Sequence, residues 1–215
     1  MNRSITRTYR PGLRSQWAVT PLLVLAFVLG AVRANAQLLS SLELDSVRTY
    51  RSLERALKEP DQVYSLDLSK QKLKEVPEAI RQLRNLNVLD LSGNKLKELP
   101  AWLAELPNLQ ELRVSRNRLV LFPEVVCQLP HLKRLDLSHN ALTGLPKCMG
   151  GLKELVSLDL WSNDLAEFPE EISGMTALRF LDLRAIQFEE PEMDHIQQLV
   201  PRAKVFFSQP CNCGM

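Results

Sequence analysis

Carboxylates recur along the chain at a fixed interval of 23 residues. The series consists of Asp67, Asp90, Asp136, Asp159 and Asp182. Carboxylate oxygens are preferred ligands of Ca²⁺, so a bound cation is the first chemistry to consider. Neighbouring like charges need compensation, however, and no calcium-binding loop of known spacing occurs. We therefore predict no metal site and no cofactor.

Catalysis by side chains needs a nucleophile, a base and a group that orients the base. Of the three histidines, His131 follows a Leu-Pro turn and His195 falls near the C-terminal end, and neither is placed near a candidate nucleophile. No phosphate-binding loop, metalloprotease motif or serine nucleophile elbow occurs. We predict that the chain is not an enzyme.

Seven side chains form a candidate binding patch, because most of them depart from the residue type found 23 residues before or after them. They are Arg113, Arg116, Arg134, His139, Trp161, Phe180 and Arg184. Trp and Arg are enriched among the residues that dominate binding interfaces, and an exposed Trp requires a reason. We predict that these side chains form one ligand-binding patch. For Arg113 alone, ion pairing with Asp90 and Asp136 is the preferred alternative.

A repeat of apolar side chains must position these residues. One copy reads Leu86, Leu89, Leu91, Asn94, Leu96, Leu99, Pro100, Leu103 and Leu106. Three further copies follow without insertion, and a weaker copy stands on each side, with Gln71 and Ile186 in the Asn position. Because side chains alternate along a strand, Leu-x-Leu places two leucines on one face. Stacked coils would bury these leucines in one continuous core.

Two other positions of the repeat have structural roles. The Asn series is Asn94, Asn117, Asn140 and Asn163. A buried Asn must be hydrogen-bonded, so we predict that these side chains satisfy backbone groups of the turns between coils. Pro recurs at positions 77, 100, 123, 146 and 169. Since an interior Pro costs a helix about 3 kcal/mol, this excludes a long amphipathic helix and favours a short helical or 3₁₀ turn.

The pattern L-x-x-L-x-L-x-x-N-x-L over residues 61–207 resembles the leucine-rich repeat family. The Leu-Pro step makes it most similar to the 23-residue subclass found in Ras-group leucine-rich repeat proteins, in a bacterial-type secreted form. The resemblance implies an α/β solenoid, a horseshoe with a short parallel β-sheet on the concave face and 3₁₀ or short helical turns on the convex face. It also implies a non-enzymatic scaffold that binds a protein or peptide on the concave face.

The first 36 residues have the features of a signal peptide. A basic start without acidic residues precedes an apolar run over 21–32 and the small residues Ala34-Asn35-Ala36. A membrane anchor is the alternative, but about a dozen apolar residues are too few for a spanning helix of roughly 20. Cleavage near Ala36 would leave 22 basic and 25 acidic residues. We therefore predict no nucleic-acid partner and a secreted, periplasmic or cell-envelope location, with an adhesive envelope component as the alternative function.

The remaining chain divides into three parts. Residues 37–60 are predicted to form a linker with partial order over 37–48, followed by a capping helix that begins after Ser52. Residues 61–200 hold six repeats and end in a helix over 192–199. Residues 201–215 form a cap strand over 204–207 and a Cys-containing tail. The sequence does not predict the oligomeric state.

Four cysteines remain after the predicted cleavage. Cys127 and Cys148 lie in consecutive coils on the convex side, where either a disulfide or packing as small apolar side chains is compatible with the spacing. Packing is the preferred interpretation. Cys211 and Cys213 fall in the tail and have no predicted partner.

Overall fold

Short parallel strands follow one another in chain order and form one open sheet. The computed structural model describes residues 38–208. Within them the strands are β1 (Thr49–Tyr50), β2 (Ser65–Asp67), β3 (Val88–Asp90), β4 (Glu111–Arg113), β5 (Arg134–Asp136), β6 (Ser157–Asp159), β7 (Phe180–Leu183) and β8 (Lys204–Phe207). From β2 to β7, residues 23 positions apart are direct partners, as in the pair Leu112–Leu135. The predicted solenoid is confirmed.

Each coil returns on its convex side through a 3₁₀ segment. These segments are η1 (Pro60–Gln62), η2 (Glu78–Gln82), η3 (Ala101–Glu105), η4 (Glu124–Gln128), η5 (Lys147–Gly151) and η6 (Glu170–Gly174). From η2 onward, a Pro with extended backbone precedes each segment. The fixed φ of Pro turns the chain away from the strand, and five residues are too few for a stable α-helix.

The core lies between the sheet and the 3₁₀ segments. The inward pair Leu112 and Val114 is fully buried, and the equivalent pairs of the other coils are also buried. Each buried side chain of this size contributes roughly 1.5–3 kcal/mol. The Asn series lies at the end of the strand: the side chain of Asn140 accepts from the backbone N–H of Leu119 and donates to the carbonyls of Val114 and Leu137.

The two ends of the solenoid are closed by helices. At the N-terminal end, α1 (Ser41–Ser46) precedes β1, and α2 (Leu53–Ala56) begins at Ser52, whose hydroxyl accepts from the N–H of Arg55. At the other end, α3 (Glu190–Leu199) starts two residues earlier than predicted, because Glu189 and Glu192 form a reciprocal capping box. The predicted signal peptide and the Cys211–Cys213 tail lie outside the described residues. None of the helices that the structure describes has the length and apolar character to cross a membrane.

A disulfide joins two neighbouring coils on the convex side. Cys127 in η4 and Cys148 in η5 are bonded, with their Cα atoms 5.8 Å apart. The preference for simple packing was therefore wrong, because an offset of two residues between neighbouring coils still brings both side chains within bonding distance. Segments η5 and η6 also pack closely: a Cβ added to Gly150 would lie 2.1 Å from the carbonyl oxygen of Glu171.

Candidate functional site

Carboxylates of the 23-residue series close the turn after each strand. Each accepts the backbone N–H two residues further on, at 2.8–3.1 Å. The pairs are Asp67 with Ser69, Asp90 with Ser92, Asp136 with Ser138, Asp159 with Trp161, and Asp182 with Arg184. Asp is favoured at such turns because its short side chain reaches its own backbone. This local hydrogen bond accounts for the recurrence of Asp without a bound cation.

The residue three positions after each Asp of the series, and after Arg113, has left-handed backbone. Lys70, Gly93, Arg116, His139, Ser162 and Ala185 have φ between 51° and 70°. Only Gly adopts this region without cost, so the coils hold five other residue types there against a small intrinsic penalty. The N–H groups offset it, since for example that of His139 donates to the carbonyl of Trp161 at 2.7 Å.

Ion pairs neutralise some of the carboxylates but not all. Arg51 lies 3.7 Å from Asp67, and Arg184 binds Asp182 at 2.6 Å. Arg113 reaches Asp90 at 3.7 Å, as predicted, but its other partner is Glu111 on its own strand and not Asp136. Glu111 is the nearer partner because both side chains leave the same face of β4. Among the described residues, neither Asp136 nor Asp159 has a cationic partner.

The two ends of the series therefore differ in electrostatics. Burial raises the pKa of Asp159, and the neighbouring charges of Asp136 and Asp182 raise it further. Burial also tends to raise the pKa of Asp67. Hydrogen bonds from Ser69 and the guanidinium of Arg51 outweigh this effect, so the pKa is lowered. The N–H of Trp161 and the charge of Arg184 act in the opposite direction on Asp159 but do not outweigh the effects that raise its pKa, so the pKa of Asp159 stays raised.

The N-terminal segment, residues 38–46, lies against the first part of the concave face. The backbone N–H of Leu39 donates to the side chains of Gln110, at 2.9 Å, and Asn87, at 3.3 Å. Gln110 also donates back to the carbonyl of Leu39 at 3.0 Å. Further along, Asp45 lies 3.6 Å from Arg134. This segment, predicted to be partly ordered, is therefore fixed by specific contacts to the entrances of β3 and β4 and to the side chain of Arg134 on β5.

Burial at the first strand position differs between the two ends of the sheet. Ser65, Val88 and Glu111 point out of the core, yet they are only 4–8% exposed. Phe180, at the same position of β7, is 51% exposed. At this first strand position, the concave face thus has a covered half over β2–β4 and an open half over β5–β7.

Aromatic side chains cluster on the open half. The rings of His139 and Trp161 lie 4.4 Å apart, and the guanidinium of Arg184 lies 5.5 Å from the Trp161 ring and 5.9 Å from that of Phe206. Trp161 is still 37% exposed. The Nε2 atom of His139 is buried without a hydrogen-bond partner in the described chain. The arrangement presents an aromatic surface directly beside Asp136 and Asp159.

Comparison with protein families identifies the repeat. The model for the leucine-rich repeat matches residues 61–119 and 120–165. Residues 61–165 are leucine-rich repeats. No curated protein matches it.

Solved structures of other leucine-rich repeat proteins resemble the chain. One of Leptospira interrogans is 34% identical, with a TM-score of 0.61, and the alignment covers 74% of this chain and 48% of that one. Internalin C2 of Listeria monocytogenes shares the fold at 23% identity and a TM-score of 0.58, over 71% and 64% of the two chains. The ectodomain of the Arabidopsis thaliana receptor kinase GASSHO1 is 29% identical, with a TM-score of 0.54, over 69% and 18%. The chain thus spans about half of the Leptospira protein.

The predicted patch separates into two groups on this leucine-rich repeat solenoid. Arg113 on β4 and Arg134 on β5 meet at Glu111, at the border between the two halves, where they form intramolecular ion pairs. His139, Trp161 and Arg184 cluster on the open half, with Phe180 on the neighbouring strand. Arg116 is exposed on its turn, and its side chain makes no hydrogen bond or ion pair with the described residues.

Sequence reasoning missed the residues that hold the N-terminal segment. Asn87 and Gln110 are both fully buried, although they are polar. The available signal was their amide side chains at the strand entrance of two successive coils. The same position is Lys133 and Val156 in the next two coils.

Proposed function

We propose that the chain is a non-enzymatic scaffold that binds a protein or peptide on the open half of its concave face. The main support is the exposure of Trp161 and Phe180 on this part of the face. Residues 38–46 of the chain itself contact the neighbouring part. Exposed aromatic side chains bordered by charged groups are typical of binding interfaces. His139 and Arg184 restrict the Trp161 ring, so less side-chain entropy is lost when a ligand packs on it.

The nature of the ligand is supported by a relative. The GASSHO1 ectodomain was solved in complex with CASPARIAN STRIP INTEGRITY FACTOR 2. We infer a polypeptide ligand here too, because the open half is a shallow strip of strand residues rather than an enclosed cavity. Aromatic and charged side chains project from it at the two-residue spacing of a strand, which suits an extended segment.

We further propose export, with residues 1–36 as a cleaved signal peptide, 37–60 as linker and cap, 61–200 as six repeats of the Ras-group-like bacterial type, and 201–215 as the C-terminal cap and tail. The Cys127–Cys148 disulfide supports an oxidising compartment, since such bonds are rare in the cytosol. N-terminal sequencing of the protein from the extracellular and envelope fractions tests this. A chain that begins at Gln37 is expected; an unprocessed chain in the cytosol would contradict export.

The binding role is tested by capture with matched variants. Immobilised protein is exposed to the extracellular and envelope fractions of its source, together with a Trp161→Ala/Phe180→Ala variant. The control is Trp102→Ala, which removes a partly buried Trp of η3 on the convex side. A ligand of the open half should be retained by the control and lost by the double variant. Equal recovery of every captured protein by all three would contradict the proposal.

A further inference from the structure

The open half of the concave face carries a pair of carboxylates without an ion-pair partner among the described residues. Asp136 and Asp159 are direct partners on β5 and β6, so their side chains are separated by about one strand spacing of 4.8 Å. Each already accepts a turn hydrogen bond through Oδ1, from the N–H of Ser138 or Trp161. In both residues, Oδ2 has no hydrogen bond or ion pair with any described residue.

Nearby cations are already engaged or too distant to neutralise this pair. The guanidinium of Arg184 is bound to Asp182 and offsets the charge of Asp159 only in part. That of Arg134 is bound to Glu111 and Asp45. Lys204 stands on β8, two strands beyond Asp159, at about 10 Å. The N-terminal half differs, because Asp67 and Asp90 each have an Arg of the chain itself.

We propose that Asp136 and Asp159 receive one Lys or Arg side chain of an extended polypeptide ligand, whose neighbouring apolar residues pack on Trp161 and Phe180. This inference rests on the proposed function and specifies the chemistry of its ligand. An ammonium or guanidinium group between carboxylates about 5 Å apart can make charge-assisted hydrogen bonds to both. The aliphatic part of a Lys or Arg side chain also suits the edge of the exposed Trp161 ring.

The geometry also specifies the order of basic and apolar residues along the ligand. Trp161 is two residues after Asp159, and Phe180 faces Ser157 on the neighbouring strand, two residues before Asp159. The carboxylates therefore lie between the two exposed aromatic side chains in the strand direction. A basic residue flanked on both sides by apolar residues is the matching pattern.

The test is a selection of random dodecapeptides displayed on phage, performed on the full exported chain. Selected peptides are synthesised, and their affinities are measured for the wild type and for three variants. Asp136→Asn/Asp159→Asn removes the charges and keeps an oxygen for each turn hydrogen bond. Asp67→Asn is the matched control at the other end of the same series, and Trp161→Ala/Phe180→Ala tests the surface itself.

The expected result is enrichment of Lys or Arg between apolar residues. Binding should weaken about tenfold or more for Asp136→Asn/Asp159→Asn and on replacing the basic residue of the peptide by Gln, and change less than about twofold for Asp67→Asn. Peptides that bind the Asn double variant normally but not the Trp161→Ala/Phe180→Ala variant would overturn the basic-ligand inference and leave the proposed function standing. Peptides that bind all variants equally would overturn both. A selection that enriches no sequence, or an acidic one, would overturn the inference.

Discussion

Asp136 and Asp159 lie directly opposite each other on neighbouring strands, and no cation of the described chain lies between them. Like charges placed opposite each other in a sheet destabilise it by roughly 0.2–1 kcal/mol. Asp159→Asn should therefore raise the free energy of unfolding at pH 7 by about that amount, because Asn can still accept the N–H of Trp161. Chemical denaturation of the wild type and the variant measures the difference.

This difference should depend on pH. The pKa of Asp159 is raised in the folded protein, by burial first and by neighbouring Asp136 and Asp182 second. The folded state consequently takes up this proton before the unfolded state as the pH falls, so the penalty is full above the folded pKa and absent below the ordinary value of about 4. The advantage of Asp159→Asn should shrink between neutral pH and pH 4. The pKa of Asp67 is lowered instead, so Asp67→Asn should not stabilise the protein at pH 7.

Detaching the N-terminal segment should leave the solenoid intact. Gln110→Ala removes the side chain that holds both the N–H and the carbonyl of Leu39. We expect faster hydrogen exchange and faster proteolytic cleavage over residues 38–46, with little change for β5–β7. Gln82→Ala, an exposed position on η2, is the control. Unchanged protection of residues 38–46 in Gln110→Ala would show that other contacts hold the segment.

Loss of the disulfide should destabilise the fold without changing it. Cys127 and Cys148 close a loop with a sequence separation of 21, and cross-links of this length contribute about 3 kcal/mol. Cys127→Ser/Cys148→Ser, or reduction of the wild type, should lower the free energy of unfolding by about 2–4 kcal/mol at unchanged far-UV circular dichroism. If the reductant lowers the stability of the double variant just as much, the effect does not come from this bond.

Close contact between η5 and η6 requires Gly at one position and not at the next. A methyl group at Gly150 would collide with the backbone carbonyl of Glu171, whereas one at Gly151 would meet no atom within 4 Å. Gly150→Ala should therefore cost about 1–3 kcal/mol. Gly151→Ala should be neutral or slightly stabilising, since it reduces the freedom of the unfolded chain. Thermal melts of the two variants compare them directly; equal melting temperatures would contradict the close contact.

Removing a member of the Asn series should be costly. Asn140→Ala leaves the N–H of Leu119 without its acceptor and removes one of the two amide donors of the Val114 carbonyl, which keeps that of Asn117. An unpaired buried donor costs about 1–3 kcal/mol, so we expect a loss in that range. Asn85→Ala removes one solvent-accessible hydrogen bond to the carbonyl of Asp61 and should cost less than about 1 kcal/mol. Denaturant titration distinguishes the two, and a similar loss for both would contradict a special role of the series.

The fold could be predicted from the sequence because the apolar side chains that form its core recur periodically. Leu112 and Val114 recur in kind every 23 residues, and an inward pair on every coil fixes both the strand and its register. The ordered conformation of residues 38–46 could not be predicted. It depends on contacts between Leu39 and side chains up to 71 residues away, which only two of the coils supply.

The candidate site was predicted in part for a related reason. Departure from the repeat identified both Arg113 and Trp161, but it does not say whether a departing side chain faces a ligand or the chain itself. Arg113 is engaged by Glu111, a residue of its own strand, while Trp161 stays exposed. The difference arises from the carboxylates that neighbour Arg113 on the sheet, which departure from the repeat does not reveal.

The bond between Cys127 and Cys148 also limits how far the chain can be extended by force. Coils contact only their neighbours, so tension on both ends would peel them away one at a time. The loop between the two cysteines stays closed after the other coils have opened. At about 3.5 Å per residue, the separation of 21 residues withholds roughly 70 Å of contour length until the bond is reduced. Redox conditions therefore set the maximum extension of the chain under tension.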